Sequence, residues 1–394
     1  MSNNTQMLPV MAVMGDTHLR SSQYGRTYRG EDFFNAVISA IDVAYEAGVK
    51  TIINTGDLHD VSTPASAVIN QLVRICQHLN KKHMTMWVIP GNHDHCEPSW
   101  LSVLQQTAGM FEGELPMRAL VDTSIAIDKA GLHRPITIHG ISCLAGDAMR
   151  EFLADPKGPK ADFLAWHGMV KEFADFPNAD TVSIADFEAC PRYQSILLGD
   201  VHVTDYRRFG QHGIIGYPGS TELCSATEAM QKYIGLVYVS PDCSHHEVQT
   251  LPIMTRKVLT LRADTEEIFQ KMLVEQVIPT KAEKPMIFFK YNPNILDCMP
   301  RLFAAANPDS IVRGTAIAFD VSRPNVETGE NEEAPQAYTQ EQTRANLEGL
   351  LTQFVPPNFK DLHTLAMKLM DPEAKATSLL TDYVGAKLSK SNAQ

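Results

Sequence analysis

Five short segments of this 394-residue chain combine a glycine with carboxylate, amide or imidazole side chains. They are Gly15-Asp16-Thr17-His18, Gly56-Asp57-Leu58-His59-Asp60, Gly91-Asn92-His93-Asp94, Trp166-His167-Gly168 and Gly199-Asp200-Val201-His202. The glycine of each permits a tight turn beside the polar residues. Carboxylate and amide oxygens mixed with imidazole nitrogens suit manganese, iron or zinc far better than calcium. Two such cations held roughly 3.5–4 Å apart can clamp both the attacking and the leaving oxygen of a phosphoryl displacement. That chemistry needs a carboxylate reaching both ions, an activated water and a proton donor for the leaving group, and the five segments hold residue types for all three. One Asp-x-His or Gly-Asp pair arises by chance in many proteins. Five in this order, mostly behind apolar runs, carry weight together.

Those runs are the elements that must position the motifs. Residues 8–14 read as a buried strand ending at Gly15-Asp16, residues 50–54 as a second ending at Gly56-Asp57, and residues 84–89 as a third ending before Gly91-Asn92. Between them, helix-spaced Phe34, Val37, Ile38, Ile41, Ala44 and Tyr45 mark a helix over 31–47 that Gly48 stops, and a second helix covers 65–81. The βαβαβ order predicts parallel strands with helical crossovers, and open sheets of this kind place ligands beyond the C-terminal ends of their strands. Further strands are expected at 119–127, 135–142, 162–166, 194–198, 213–217, 233–239 and 245–251. The pattern then restarts: strands at 256–262, 285–290 and 310–320 alternate with helices at 265–275 and 295–305. The predicted organisation is a domain over 1–251, a small α+β domain over 252–321, an acidic linker over 322–342 and a helical tail over 343–394. In the tail, Leu347, Leu350, Leu351 and Phe354 form one apolar stripe, and Phe359, Leu362 and Leu365 continue it after Pro356-Pro357.

Composition narrows the class. Seven cysteines, Cys76, Cys96, Cys143, Cys190, Cys224, Cys243 and Cys298, form no Cys-x-x-Cys pair, so neither a disulfide framework nor a thiolate zinc motif is signalled. A reduced, cytoplasmic setting is expected, the N-terminus lacks the character of a signal peptide, and no run reaches the ~20 apolar residues that span a bilayer. The net charge of −12 argues against tight nucleic-acid binding by the chain alone, because such binding rests on cation–phosphate contacts. Bound metal ions, a partner or a locally basic groove would have to supply the attraction.

The ordered motifs resemble the calcineurin-like metallophosphoesterase superfamily and, within it, the SbcD-type nucleases, exonuclease subunits of DNA double-strand-break repair complexes. Pro64 after the second motif and Tyr217-Pro218-Gly219-Ser220-Thr221-Glu222 after the fifth add to that likeness. The resemblance implies a four-layer α/β fold, a two-sheet sandwich flanked by helices, with a DNA-capping α+β domain and a tail that docks an SbcC-like SMC-family ATPase. It implies that Asp16, His18, Asp57 and His202 hold one metal and that Asp57, Asn92, His167 and Asp200 hold a second, Asp57 bridging. The expected cofactor is two divalent cations, manganese (Mn2+) first and magnesium (Mg2+) as the alternative. By the same resemblance His93 protonates the leaving oxygen and Asp94 orients its imidazole. Two positions depart from the pattern: Asp200 stands where most members have histidine, and His59 where an aromatic residue is usual. The implied function is a nuclease, acting as a homodimer at DNA ends. A metallophosphatase, a cyclic-nucleotide diesterase or a non-catalytic DNA-end scaffold are the rivals.

Other residues have competing readings. His139 is a rival to His167 as the lone histidine ligand, and His59 is either an extra ligand or a packed ring. His95 is expected at the pocket rim, His212 at the pocket mouth, and His245-His246 on the surface. In the loop from Ser21 to Gly30, Tyr24 and Tyr28 alternate with Arg26 and Arg29, a composition that suits base stacking and phosphate contact. Arg207-Arg208 is a second candidate for phosphate contact.

Overall fold

The apolar run LPVMAVM forms strand β1, Leu8–Met14, and becomes the centre of a sheet. It pairs in parallel with β2 (Thr51–Asn54), which pairs with β3 (Thr85–Val88), which pairs with β4 (Met117–Ala119). Helices α1 (Tyr28–Glu46) and α2 (Ser66–Lys81) make the crossovers. The structure, a computed structural model, describes residues 6–24, 26–94, 115–141, 143–156, 160–173, 181–225, 228, 231–256 and 267, and the backbone of three later strands.

A second sheet follows from β5 (Thr123–Ile127), β6 (Ile136–Gly140), β7 (Ala161–His167), β8 (Tyr193–Gly199), β9 (Asp205–Phe209) and β10 (Gly213–Tyr217). Helices α3 (Gly146–Ala154) and α4 (Ile184–Glu188) lie between its strands in sequence. The chain then returns to the first sheet with β11 (Tyr233–Val239), antiparallel beside β1, and β12 (His246–Pro252), antiparallel to β11 at the edge. Each sheet has six strands, in the orders β12-β11-β1-β2-β3-β4 and β5-β6-β7-β8-β10-β9.

Three apolar clusters show four layers. Ala12 and Met14 pack with Val37, Ile41, Leu72 and Ile75 of the helices, whereas Val10, Met11 and Val13 pack with Ile138, Phe163 and Leu197 of the second sheet. Outside that sheet, Leu164 and Trp166 pack with Met149, Leu153 and Phe187. Strands covered on both faces read as nearly continuous apolar runs, and β1 and β7 do. The order is therefore helix, sheet, sheet, helix.

Three local features differ from the expectations. The span 119–127 divides between the two sheets, because the chain turns at Asp122 (φ 49°). Strand β9, DYRRF, is an edge strand whose charged residues hid it. Helix α1 starts at Tyr28, so Tyr28 and Arg29 belong to a helix and not to a loop.

That early start buries Arg29 completely, which corrects its reading as a phosphate contact. Its guanidinium donates to Asp32 (2.8 Å), Glu222 (3.3 Å) and Gln23 (3.0 Å). His246 is likewise buried, not on the surface. It bonds to Ser195 Oγ at 2.7 Å and stacks on Phe163.

Strands β13 (Val258–Ala263), β14 (Met286–Tyr291) and β15 (Ala316–Asp320) form a separate parallel sheet of three. The chain divides into two compact units, Met1–Pro324 and Asn325–Gln394. The expected helices at 265–275 (Glu267 apart) and 295–305, the linker 322–342 and the tail 343–394 lie outside the described residues, as do His95, Cys96 and Cys298.

Two outcomes are expected. Arg29→Ala leaves buried carboxylates short of a cation and should destabilise the fold by about 3–5 kcal/mol in urea unfolding. Arg26→Ala, on the exposed side of the same segment, should stay within about 0.5 kcal/mol, and equal effects would contradict this burial. Burial pushes His246 down to about 4 from an ordinary 6.5, so the folded chain keeps it neutral where the unfolded chain takes a proton. Its contribution is complete above pH 6.5 and is lost as pH falls through 6.5 towards 4. His246→Gln should flatten the pH dependence of unfolding free energy in that window; an unchanged slope would contradict it.

Candidate metal centre

Every motif residue lies at or just beyond the C-terminal end of a strand. Asp16 and His18 follow β1, Asp57 follows β2, and Asn92 and His93 follow β3. His167 is the last residue of β7, and Asp200 and His202 follow β8. The turns are forced: Asp16 (φ 47°), His18 (41°), Asp57 (51°) and Asp200 (103°) all occupy positive φ. Such positions cost about 1–3 kcal/mol each and persist where surrounding bonds over-determine them. Here Asp16 N–H donates to Gly56 O (3.0 Å), His18 N–H to Asp57 O (2.9 Å) and Asp200 N–H to Asp16 Oδ1 (3.0 Å). Gly56 (φ 109°) is needed for closeness as well as for the turn, since a Cβ there would lie 2.2 Å from His167 Nδ1.

Asp57 sits between two groups of donors. Its Oδ2 is 3.6 Å from His18 Nε2 and 3.6 Å from His167 Nε2. On the first side, His18 Nε2 lies 3.1 Å from His202 Nε2. On the second, His167 Nε2 lies 3.2 Å from the Asn92 amide and 3.8 Å from Asp200 Oδ1. Donor atoms of Asp16, Asp57 and His167 fall within 4.8 Å of one another. The structure thus brings all seven expected ligands into one cluster.

The donor set fits cations. Asp16 Oδ2 is buried without a hydrogen-bond partner, an expensive arrangement for a carboxylate unless a positive charge faces it. The Asn92 amide end lies 3.0 and 3.1 Å from the two Asp57 oxygens. Without a cation the amide nitrogen belongs in that place as a donor; with one, the oxygen does. Burial pushes the Asp16 and Asp200 carboxyls up, opposed first by the His167 imidazole in each case.

Outer partners fix the imidazoles. His167 Nδ1–H donates to Thr55 O (2.8 Å) and His202 Nδ1–H to Glu228 Oε1 (2.8 Å), which turns both Nε2 atoms into the cluster. Glu228 also accepts from Lys232 Nζ (2.7 Å), Ser220 Oγ (3.1 Å) and Cys224 N–H (3.2 Å). Burial alone would raise the Glu228 carboxyl, but the bonds to His202 and Lys232 hold it down at about 2. Nothing in the sequence around residue 228 marks it as a partner of His202; only the fold joins them.

His93 Nδ1–H donates to Asp60 O at 2.6 Å, and its backbone N–H donates to Asp57 Oδ1 at 3.0 Å. Asp94 therefore does not orient this ring. Its carboxylate accepts from the backbone N–H groups of Gly91 (2.9 Å), Leu58 (3.1 Å) and His59 (3.3 Å), tying the second motif to the third. His59 is buried with Nε2 3.4 Å from Asp94, and among the described residues it joins no donor cluster. His139 is buried elsewhere, bonded to Tyr193 Oη at 3.0 Å, and His212 packs at the surface against His245. Of the residues considered for DNA contact, Tyr24, Arg26, Arg207 and Arg208 are exposed, and Tyr28 lies beneath Arg256. Arg207 is held by Asp205 and by Glu172 O, over the Phe173 ring.

Comparison with known proteins identifies similar chains. Residues 10–204 match the calcineurin-like phosphoesterase family. The DNA double-strand break repair protein Mre11 of Methanosarcina acetivorans is 27% identical over 258 residues, 64% of this chain and 40% of that protein. The protein of the same name from Sulfurisphaera tokodaii is 26% identical over 297 residues, 73% of each chain. The chain thus spans only 40% of the length of the first of these relatives. Among solved structures, a dimetal phosphatase from Danio rerio aligns with 62% of this chain and 99% of that one, at 12% identity and a TM-score of 0.40. From residue 10 to residue 204, this chain carries a calcineurin-like metallophosphoesterase domain.

Proposed function

We propose that the chain is a metal-dependent nuclease that hydrolyses phosphodiester bonds at DNA ends, as an exonuclease and, with the same centre, an endonuclease. The observation that carries the reading is the place of Asp57, a buried carboxylate equidistant from two imidazoles that belong to different donor groups. Asp16, His18, Asp57 and His202 would hold one divalent cation, and Asp57, Asn92, His167 and Asp200 the other. When bound, the pair supplies Lewis-acid chemistry: activation of water and neutralisation of phosphoryl charge. The choice of manganese belongs to this proposal.

The protein's own contribution to proton transfer is His93. Its Nδ1–H is committed to the Asp60 carbonyl, so Nε2 is the atom free to give a proton to the departing sugar oxygen. The link from the adjacent amide to Asp57 Oδ1 fixes that ring relative to the shared carboxylate.

DNA as substrate is supported by the named relatives, which are DNA double-strand break repair proteins. A net charge of −12 leaves the chain poorly suited to hold DNA by itself. We therefore include an SbcC-like ATPase partner, bound through residues 343–394, and homodimer formation in the proposal. Among the described residues no helix is long and apolar enough to cross a membrane, and a cytoplasmic site of action completes the reading.

The test is digestion of end-labelled linear duplex DNA with manganese, beside small phosphomonoester and cyclic-nucleotide substrates. Cleavage of DNA in preference to both is expected. His93→Ala should bind metal as the unaltered chain does in calorimetry yet cleave DNA about 10²–10⁴-fold more slowly. Preference for a small substrate would replace the nuclease reading with the phosphatase or cyclic-nucleotide one. Metal binding without cleavage of any substrate would leave a scaffold, and full activity in His93→Ala would remove its assigned role.

A further inference from the structure

The first donor group contains a side chain that the seven-ligand set leaves out. Cys224 Sγ lies with His18 and His202 ring nitrogens in a triangle whose donor atoms are all within 4.8 Å of one another. The Nε2 atoms of the two rings are 3.1 Å apart, and the thiol donates to the Glu222 carbonyl at 3.7 Å. Two donors of one cation, sulfur at about 2.3 Å and nitrogen at about 2.1 Å, can be no more than about 4.4 Å apart. The three donor atoms are therefore near enough for side-chain adjustment to bring them onto one shared ion.

The thiol is placed there by backbone fixed on both sides. Cys224 N–H donates to Glu228 Oε2 (3.2 Å), the same carboxylate group that holds His202 Nδ1. The Cys224 carbonyl accepts from Gln23 Nε2 (2.8 Å), and Gln23 is held in turn by buried Arg29. A second observation points to positive charge in the adjoining donor group of Asp16, Asp57 and His167: Asp16, fully buried, leaves Oδ2 without a hydrogen-bond partner. The other described cysteines differ. Cys76, Cys190 and Cys243 pack in the apolar clusters, and among the described residues only Cys224 joins a group of metal donors.

We propose that Cys224 is an additional, thiolate ligand of the cation held by His18 and His202. This rests on the metal-centre reading above. Binding displaces the thiol proton and adds one soft donor to two imidazoles. The two halves of the centre then differ in chemistry. The half with Cys224 favours zinc, cobalt or iron(II), whereas the half with Asn92, His167 and Asp200 keeps more oxygen and suits manganese. Both halves accept manganese when it is supplied alone, and they differ in how strongly a softer ion displaces it.

The test uses the full chain under anaerobic conditions, titrated with Co2+ and followed by absorption. Thiolate-to-cobalt charge-transfer absorption in the near ultraviolet should rise over one equivalent. It should be absent from Cys224→Ser and retained in Cys143→Ser. Cys224→Ser should bind its first cobalt about tenfold or more weakly. Peptide mapping of the unaltered chain supplies a readout that needs no variant: cobalt should protect Cys224 from iodoacetamide. If cobalt binds but no charge-transfer band appears, if the band survives Cys224→Ser, or if alkylation of Cys224 is unchanged, the thiolate ligand is overturned and the metal centre stands. If no cobalt binds at all, the metal centre falls and this ligand falls with it.

Discussion

A single buried carboxylate constrains the structure. Asp57 is 2% exposed, and its Oδ2 stands 3.6 Å from a histidine of each donor group. His18 comes from the first sheet's strand ends and His167 from the second's, so the two sheets must present those ends to one point. The apolar core between the sheets sets that separation. Val13, Ile53, Ala165 and Leu197 all lie in it, each within four residues of a metal donor. Change in the volume of this layer would be transmitted directly to the spacing of the ligands.

The centre is held by more than its ligands. Positive φ at Asp16, His18, Asp57 and Asp200 is sustained by backbone bonds between neighbouring motifs, and Asp94 staples the second motif to the third. Thr55 and Glu228 orient the imidazoles from outside, and the bonds to His202 and Lys232 together keep Glu228 ionised. The strain at the turns and the buried charges are thus offset by one connected network. Its members come from five strand ends and from the loop after β10.

Much of this was legible in the sequence for a physical reason. Strands buried on both faces must be apolar throughout, so β1, β2 and β3 stand out, and the polar residues immediately after them are exposed to view as motifs. The identity of His167 over His139 was legible from its place at a strand end, where the structure puts it against Asp57. Direction was harder to read than position. Asp94 follows His93 in sequence, yet the 3-10 turn Asn92–Asp94 aims its carboxylate at the neighbouring loop. Arg29 lies in a polar stretch with no apolar period, so the early start of α1 and the burial that follows left no signal. His246 begins an alternating strand, where the face turned inward depends on register with β11. Glu228 meets His202 from 26 residues away, and Cys224 meets His18 from about 200 residues away, contacts that only the folded chain creates.

The most direct measurement of the shared-carboxylate claim is anomalous diffraction from crystals of the chain grown with manganese. The account requires two anomalous peaks in the cluster of Asp16, His18, Asp57, Asn92, His167, Asp200 and His202, with Asp57 in contact with both. A single peak, or two peaks of which Asp57 touches only one, would contradict it.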